Sequence, residues 1–255
     1  MKRREFIKSA VAGGLAGAGM LAGANNALAA SGSEGVKEKT SKRSLIMYAS
    51  RTNNTAKVAE RFKSALERNG WQCDIIKIEQ NSDPMAFPYN IKDYDLVCAG
   101  SGIRMHSPYA ELLHVIRAPI YGYDPRIMLK FTEGIKLTDE DTKKMNASGR
   151  GAPSHGKIVP GPDSKKTLSF ATYGGYEFGP EEAQPALDWI NLEMSHLNME
   201  IVGKFCCPGK FLPADNPAGY HNDLTTRPNE KDLMRAELFI EQVLEAIAYR
   251  PLRTT

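Results

Sequence analysis

The chain has 255 residues, of which 42% are hydrophobic, and a formal net charge of +3. This length and composition suffice for one sizeable hydrophobic core and exclude a protein built from many membrane spans. Residues 1–29 hold four of the 33 basic residues and one of the 30 acidic residues. The rest of the chain therefore has 29 basic and 29 acidic residues and no formal net charge. A preference for nucleic acid or for an acidic membrane surface therefore does not follow from the charge.

Residues 1–29 differ in composition from everything that follows. They begin with a Lys-Arg-Arg cluster at residues 2–4, continue in a run of Gly, Ala and Leu, and end in Ala-Leu-Ala at residues 27–29. A basic head, an apolar middle and an A-x-A cleavage site are typical of a secretory signal, and residues 3–8 resemble the twin-arginine export signal. We therefore expect export to a bacterial periplasm, with no integral membrane span after removal of the signal. Cleavage of the signal and its retention as an anchor are both compatible with the sequence.

Residues 30–43 are polar and rich in Ser, Gly, Lys and Glu, which predicts a flexible linker. From residue 44 to about residue 250, apolar runs alternate with amphipathic segments, which predicts one α/β domain. In its first half the predicted elements are, in chain order, a strand at 45–48, a helix from Thr55 to about Asn69, strands at 72–78 and 95–99, a loop at 100–106, and a helix that starts at Ser107-Pro108. We expect Pro108 at the first helical position, where proline is favoured.

The second half of the domain opens with an insertion at about residues 119–166, where the alternation lapses. A segment of this length without regular structure is usually either functional or disordered. One short capped helix is predicted inside it, at residues 138–146. The later predicted elements are a strand at 168–171, a helix at 183–197 whose start is delayed or kinked by Pro185, a strand at 200–205, a loop at 206–229 and a helix at 230–249.

The turn between the first strand and the first helix carries the clearest functional signal. Residues 50–55, Ser-Arg-Thr-Asn-Asn-Thr, supply hydroxyl and amide side chains and successive backbone N–H groups directly before a helix. A helix N-terminus favours a dianion, and the turn contains no Lys, unlike a nucleoside-triphosphate loop. These features predict a phosphate held by hydroxyls and amides without a metal. A simple helix cap is the alternative interpretation.

The same turn resembles the phosphate loop of the flavodoxins, which has the form (S/T)-x-T-G-N-T after the first strand. The matching residues are Ser50, Thr52, Asn54 and Thr55, whereas Asn53 stands where the family usually has Gly. Asn is among the non-glycine residues that best tolerate a positive φ, so we expect the turn to survive this exchange. The segment Phe-Ala-Thr-Tyr-Gly-Gly at residues 170–175 resembles a flavodoxin-like subgroup with a TYGG loop.

The resemblance implies a three-layer α/β fold: a doubly wound, flavodoxin-like sheet of five parallel strands in the order 2-1-3-4-5, with helices on both faces. In such sheets a ligand binds outside the carboxyl ends of the strands, near the switch point, and in the flavodoxins this ligand is FMN. The first loop would hold the phosphate, and the loops after the third and fourth strands would enclose the ring. The implied cofactor-binding residues are Ser50, Arg51, Thr52, Asn53, Asn54 and Thr55; Ser101, Gly102, Ile103 and Arg104; and Thr172, Tyr173, Gly174, Gly175 and Tyr176.

Particular residues of these loops have particular expected roles. Tyr173 and Tyr176 are candidates for stacking on the ring, and glycines, Gly100 among them, would let the backbone approach it closely. Arg104 and His106 would favour a negatively charged reduced ring if they point at it, and would then raise the reduction potential above that of an acidic flavodoxin. The alternative is that both side chains are solvated or paired with acids.

The predicted function is FMN-dependent electron transfer outside the cytoplasm, with an unidentified redox partner or small acceptor. Two alternatives stay open. One is an FMN-dependent reductase of a quinone or another small acceptor, in which residues 119–166 or 206–229 cover the ring, and the other is a cofactor-free exported binding domain. The twin-arginine route resembles a path for proteins that fold in the cytoplasm with their cofactor, which suits a bound flavin. No catalytic triad or carboxylate pair stands out, so any catalysis would be the flavin's own.

The four cysteines are Cys73, Cys98, Cys206 and Cys207. They contain no Cys-x-x-Cys pair, and the five His residues are scattered, so neither a zinc nor an iron–sulfur site is expected. Cys206 and Cys207 are predicted to be two independent thiols, with a strained disulfide between them as the alternative.

Overall fold

The computed structural model describes residues 42–148, 164–174, 179–210 and 225–248. The chain divides into two units, Met1–Lys39 and Thr40–Thr255, and every described residue lies in the second. The predicted signal at residues 1–29 and nearly all of the predicted linker therefore lie outside the described residues. The elements, in chain order, are β1 (Arg43–Ala49), α1 (Asn54–Arg68), β2 (Gln72–Lys77), β3 (Leu96–Arg104), β4 (Ser107–Pro108), α2 (Ala110–Tyr121), α3 (Arg126–Thr132), α4 (Asp139–Ala147), β5 (Lys166–Tyr173), α5 (Gln184–His196), β6 (Glu200–Pro208) and α6 (Glu230–Ala248).

Five strands form a parallel sheet in the order β2-β1-β3-β5-β6. β1 pairs on one side with β2 and on the other with β3, so that Ile46 lies between Ile75 and Cys98. The two-residue strand β4 pairs antiparallel with the end of β3. Apart from β4, this is the predicted order 2-1-3-4-5 of a flavodoxin-like doubly wound sheet. The predicted fold class is confirmed.

Side chains of β1 alternate between two hydrophobic cores, because successive residues of a strand point to opposite faces of the sheet. Leu45 and Met47 belong to a core that also contains side chains of α2 and α5. Ile46 and Tyr48 belong to the other core, which contains side chains of α1 and α6. Helices thus cover both faces, as a parallel sheet requires.

The chain after β3 turns back on the sheet instead of entering a long loop. The predictions of a loop at residues 100–106 and of a helix that starts at Pro108 are wrong. β3 continues to Arg104, and Ser107–Pro108 pairs with its end as β4. Between them Met105 and His106 have φ values of 50° and 62°, as a two-residue type I′ hairpin requires. Pairing with β3 provides hydrogen-bond partners for the backbone of Ser107–Pro108. Pro108 is tolerated because β4 is an edge strand.

Other elements differ from their predicted lengths rather than in kind. β5 and β6 extend beyond the predicted strands, so Thr172, Tyr173 and Cys207 lie in strands instead of loops. The short helix predicted in the insertion is present as α4, capped by a reciprocal pair of hydrogen bonds between Thr138 and Asp141. α5 begins late, at Gln184, with Pro185 in its first turn.

Within the part of the chain that the structure describes, no helix is long and apolar enough to cross a membrane.

Gly100 has a packing role in the sheet. It lies in β3 between Tyr48 and Phe170 on the neighbouring strands. A Cβ atom placed on Gly100 would lie 2.2 Å from Cζ of Phe170, which is closer than real side chains approach. The Phe170 ring is fully buried, and its centroid lies 5.0 Å from that of Phe62. The ring therefore has little room to move aside.

We expect the substitution Gly100→Ala to lower the free energy of unfolding by about 1–3 kcal/mol, because it overpacks the core against Phe170. Urea denaturation of the purified protein measures this loss. In a Phe170→Leu background, where the ring is gone, the same substitution should cost clearly less. Equal losses in the two backgrounds would contradict the contact with Phe170.

Candidate functional site

A cavity of about 530 Å³ lies at the carboxyl ends of β1, β3 and β5. This is the edge of the sheet, next to the switch point, where doubly wound folds bind ligands. The volume lies within the usual range of small-molecule sites. Residues from all three predicted loops line the cavity, namely Arg51, Thr52 and Asn54; Gly102, Ile103 and Arg104; and Thr172, Tyr173 and Gly174. The predicted residues Gly175 and Tyr176 lie outside the described residues.

The first loop presents the N-terminus of α1 to the cavity. Asn53 has φ 60° and ψ 10°, the left-handed conformation that the sequence requires of it. Its side chain makes no capping hydrogen bond, and the first turn of α1 contains no acidic residue. The first N–H groups of a helix lack partners within the helix. They are therefore available to an anion in the cavity.

Two buried polar atoms of the first loop have no hydrogen-bond partner among the described residues. They are Oγ of Ser50 and Oδ1 of Asn54, and the two residues are only 6% and 3% exposed. A buried polar atom without a partner costs about 1–3 kcal/mol, so a ligand that satisfies these atoms stabilises the loop. The Ser50 hydroxyl can donate or accept, whereas Asn54 Oδ1 can only accept.

Arg51 lines the cavity, but its charge is already paired. Its Nη2 lies 2.9 and 3.2 Å from the two carboxylate oxygens of Glu111, a buried residue at the start of α2. Its other terminal nitrogen donates to Gln80, and its guanidinium lies 4.7 Å from the ring centroid of Tyr109. Arg51 therefore connects the first loop to α2 and to the segment that follows β2. It adds little net positive charge to the cavity.

The end of β3 is held by a buried serine. Ser101 Oγ donates to the carbonyl of Gly102 at 2.6 Å and accepts from the N–H of Tyr109 at 2.8 Å. A Cβ on Gly102 would lie 2.8 Å from the Tyr109 ring, so at this position only glycine lets the ring lie against the strand. Beyond the strand, Met105 lines the cavity with 86% of its surface exposed.

The aromatic lining of the cavity differs from the prediction. Tyr173 lines it but is 6% exposed, and it packs in a small core with Ala183 and Leu187. Burial raises the pKa of Tyr173 to about 12, so the phenol stays neutral at physiological pH. The half-buried Tyr109, which is not among the predicted site residues, supplies a second aromatic side chain to the cavity wall. Its position follows from the hairpin at Met105 and His106, which the sequence did not reveal.

Four further lining residues were missed by the sequence prediction of site residues. They are Gln80 after β2, Glu182 before α5, and Gly209 and Lys210 after β6. Gln80, Gly209 and Lys210 follow strands that end at the same edge of the sheet, and this placement is the signal that would have found them. Oε2 of Glu182 is buried without a partner among the described residues, and its backbone oxygen lies 3.4 Å from Nδ1 of His106.

The described residues contain no group of three or more His, Cys, Asp or Glu that could hold a metal ion. Cys206 and Cys207 are both free thiols. Burial raises the pKa of each, which keeps both thiols protonated and weakly reactive at neutral pH.

No protein-family model matches this chain, and no curated protein matches it. Several solved structures match the chain. A flavodoxin from the domain Archaea is 16% identical, with 81% of this chain and 99% of that chain covered and a TM-score of 0.42. A flavodoxin from Pseudomonas aeruginosa is 10% identical, with 81% and 99% covered and a TM-score of 0.46. A flavone reductase is 13% identical, with 81% and 63% covered and a TM-score of 0.46.

Identities and TM-scores this low do not transfer a cofactor or an activity to this chain. Its own strand order defines a flavodoxin-like doubly wound α/β domain, and its cavity lies at the carboxyl edge of the sheet, where such domains bind ligands. The geometry of that site has to indicate the ligand.

The start of α1 and the end of β5 are joined by a buried hydrogen bond between hydroxyl groups. Oγ1 of Thr55 lies 2.9 Å from Oγ1 of Thr172, and the two residues are 0% and 5% exposed.

We expect Thr172→Val to lower the free energy of unfolding by about 1–3 kcal/mol, because it leaves the Thr55 hydroxyl buried and unpaired. Urea denaturation measures the loss. The double variant Thr55→Val/Thr172→Val should lose less than the sum of the single variants, and additive losses would contradict the pairing.

Proposed function

We propose that this chain binds FMN in the cavity and transfers electrons outside the cytoplasm. The observation that carries the proposal is the convergence of three segments at the switch point, around the N-terminus of α1. There Asn53 is left-handed, and two buried atoms, Ser50 Oγ and Asn54 Oδ1, have no hydrogen-bond partner among the described residues. A phosphate suits the N–H groups of α1. A hydroxyl of a sugar-like chain suits the acceptor on Asn54, which a fully ionised phosphate would not satisfy. FMN carries both kinds of group.

The other walls of the cavity suit a flat aromatic ring. Ile103 and Tyr109 offer apolar and aromatic surface, and the backbones of Gly102 and Gly174 line the cavity beside them. Apolar and aromatic walls with a few placed polar groups are typical of cofactor sites. When bound, FMN supplies one- or two-electron chemistry at its ring, and the protein supplies binding, orientation and charge.

We favour an electron carrier over a reductase with a covered ring, because the cavity is open beside Met105. Of the two segments that would cover the ring in a reductase, the described parts of residues 119–166 contribute no residue to the cavity wall, whereas Gly209 and Lys210 of residues 206–229 do. Met105 lines the cavity and is 86% exposed, so a partner protein has access to the cavity beside the end of β3. Steady-state turnover with a nicotinamide donor and a quinone is the assay that tells a reductase from a carrier.

The extracytoplasmic setting rests on the sequence of residues 1–29. The paired arginines, the apolar run and the A-x-A site support export by the twin-arginine route to the periplasm. Folding in the cytoplasm before export would allow FMN to be loaded first. Fractionation of cells that produce the full chain, with flavin absorbance followed in each fraction, tests compartment and cofactor together.

Binding of FMN, and its dependence on Asn53, is the direct test of the site. Wild-type protein should bind FMN with a visible absorption spectrum, and a colourless protein that takes up no added FMN would contradict the proposal. Asn53→Gly should keep the affinity. Asn53→Val should raise the Kd about 5–30-fold, because the left-handed conformation costs a β-branched residue roughly 1–2 kcal/mol more than it costs Asn or Gly.

Asn198 is the matched control for this experiment. It also has φ 60°, but it lies outside the cavity wall, between α5 and β6. Asn198→Val should destabilise the protein by a similar amount and leave the Kd for FMN unchanged. Equal losses of affinity in the two valine variants would show that general destabilisation, and not the first loop, sets the affinity.

Arg104 tests the redox part of the proposal. It lines the cavity, is exposed, and has no ion-pair partner among the described residues. Arg104→Ala should lower the two-electron midpoint potential of the bound flavin by on the order of 10–20 mV, since an exposed cation contributes up to about 1 kcal/mol. A redox titration measures this shift, with Arg68→Ala at the far end of α1 as the control. An unchanged potential, or the same shift in the control, would contradict the assigned role.

A further inference from the structure

The segment after β6 forms a fourth wall of the cavity, which the three-loop prediction did not include. Gly209 and Lys210 line the cavity together with Asn54 of the first loop. The N–H of Gly209 donates to the carbonyl of Tyr173 at 2.7 Å, and the N–H of Lys210 donates to the carbonyl of Arg227 at 3.1 Å. Hydrogen bonds on both sides thus fix the backbone of this segment.

The same segment is held directly against the N-terminus of α1. Nδ2 of Asn54 donates to the carbonyl of Lys210 at 2.9 Å. A Cβ on Gly209 would lie 2.7 Å from that Nδ2 atom, so the close approach depends on glycine at this position. Asn54 is the first residue of α1. The backbone of Lys210 therefore lies beside the helix end that presents its N–H groups to the cavity.

The charge of Lys210 is not neutralised within the described part of the protein. Its side chain is exposed, and no described acidic residue forms an ion pair with it. Arg51, the cation on the first loop, is paired with Glu111 instead. The first turn of α1 contains no acidic residue. The helix N–H groups and the unpartnered Asn54 Oδ1 therefore lie beside the backbone of a residue that carries an unpaired ammonium. Together these groups favour an anion that also carries a hydroxyl donor.

We propose that the ammonium group of Lys210 is a counter-ion for the terminal phosphate monoester of the bound flavin, positioned by the hydrogen bond from Asn54 to its backbone. This inference rests on the proposed function and adds to it a cationic phosphate ligand outside the loop that resembles the family motif. It predicts that Lys210 contributes to any preference of the cavity for phosphorylated over unphosphorylated flavin.

Affinities for FMN and riboflavin, which differ only in the phosphate, test the inference by titration of the full chain. Lys210→Met should weaken FMN binding about 10-fold or more, since a charge-assisted hydrogen bond to the phosphate is lost. The affinity for riboflavin should stay within about twofold, which also shows that the variant is folded. Lys210→Arg should retain most of the preference for FMN. Inorganic phosphate should compete with FMN in the wild type more strongly than in Lys210→Met.

Lys57 provides the matched control, because it is an exposed lysine on α1 that does not line the cavity. Lys57→Met removes the same charge and should leave the preference for FMN unchanged. Equal weakening of FMN and riboflavin by Lys210→Met, or the same loss of preference in Lys57→Met, would overturn the role of Lys210 while leaving FMN binding intact. Wild-type protein that binds neither flavin would overturn the proposed function itself, and the role of Lys210 with it.

Discussion

Parallel pairing of β1 with both β2 and β3 is the constraint on which the rest of the structure depends. β1 lies within the sheet, and its residues from Ser44 to Ala49 are almost fully buried. Because the strands run parallel, each crossover must return over one face, and the carboxyl ends of all five strands meet at the same edge. α1 and α6 therefore share one core, α2 and α5 share the other, and the segments after the strands gather into one site.

The site itself is held together by single contacts between segments that are far apart in the chain. Thr55 meets Thr172, Asn54 meets Lys210, and Arg51 meets Glu111. Each contact is polar and buried or partly buried, where an unpaired group is costly. The loops therefore stabilise one another's positions before any ligand binds. Pre-organisation of this kind reduces the ordering that binding would require.

Charge is distributed unevenly along the cavity. Arg51 is neutralised by Glu111, whereas Lys210 near α1 and Arg104 at the end of β3 have no ion-pair partner among the described residues. The two cations without an ion-pair partner thus belong to different walls, and our proposals assign Lys210 to the phosphate and Arg104 to the ring that gains negative charge on reduction. The chain beyond residue 29 has no net charge, so these local cations, rather than an overall field, shape how the site receives an anion.

The sequence by itself determined the class of fold, the strand order expected from its family resemblance, and the first loop down to the left-handed Asn53. These features depend on neighbouring residues: strand burial, helix periodicity and turn chemistry are local and leave a pattern along the chain. Only the tertiary structure decided that Gly100 leaves room for the Phe170 ring, that Tyr109 lines the cavity, and that the backbone of Lys210 lies against Asn54. These facts depend on a two-residue hairpin and on pairs more than 50 residues apart. Such contacts arise only when the strands are brought side by side, so no local pattern records them.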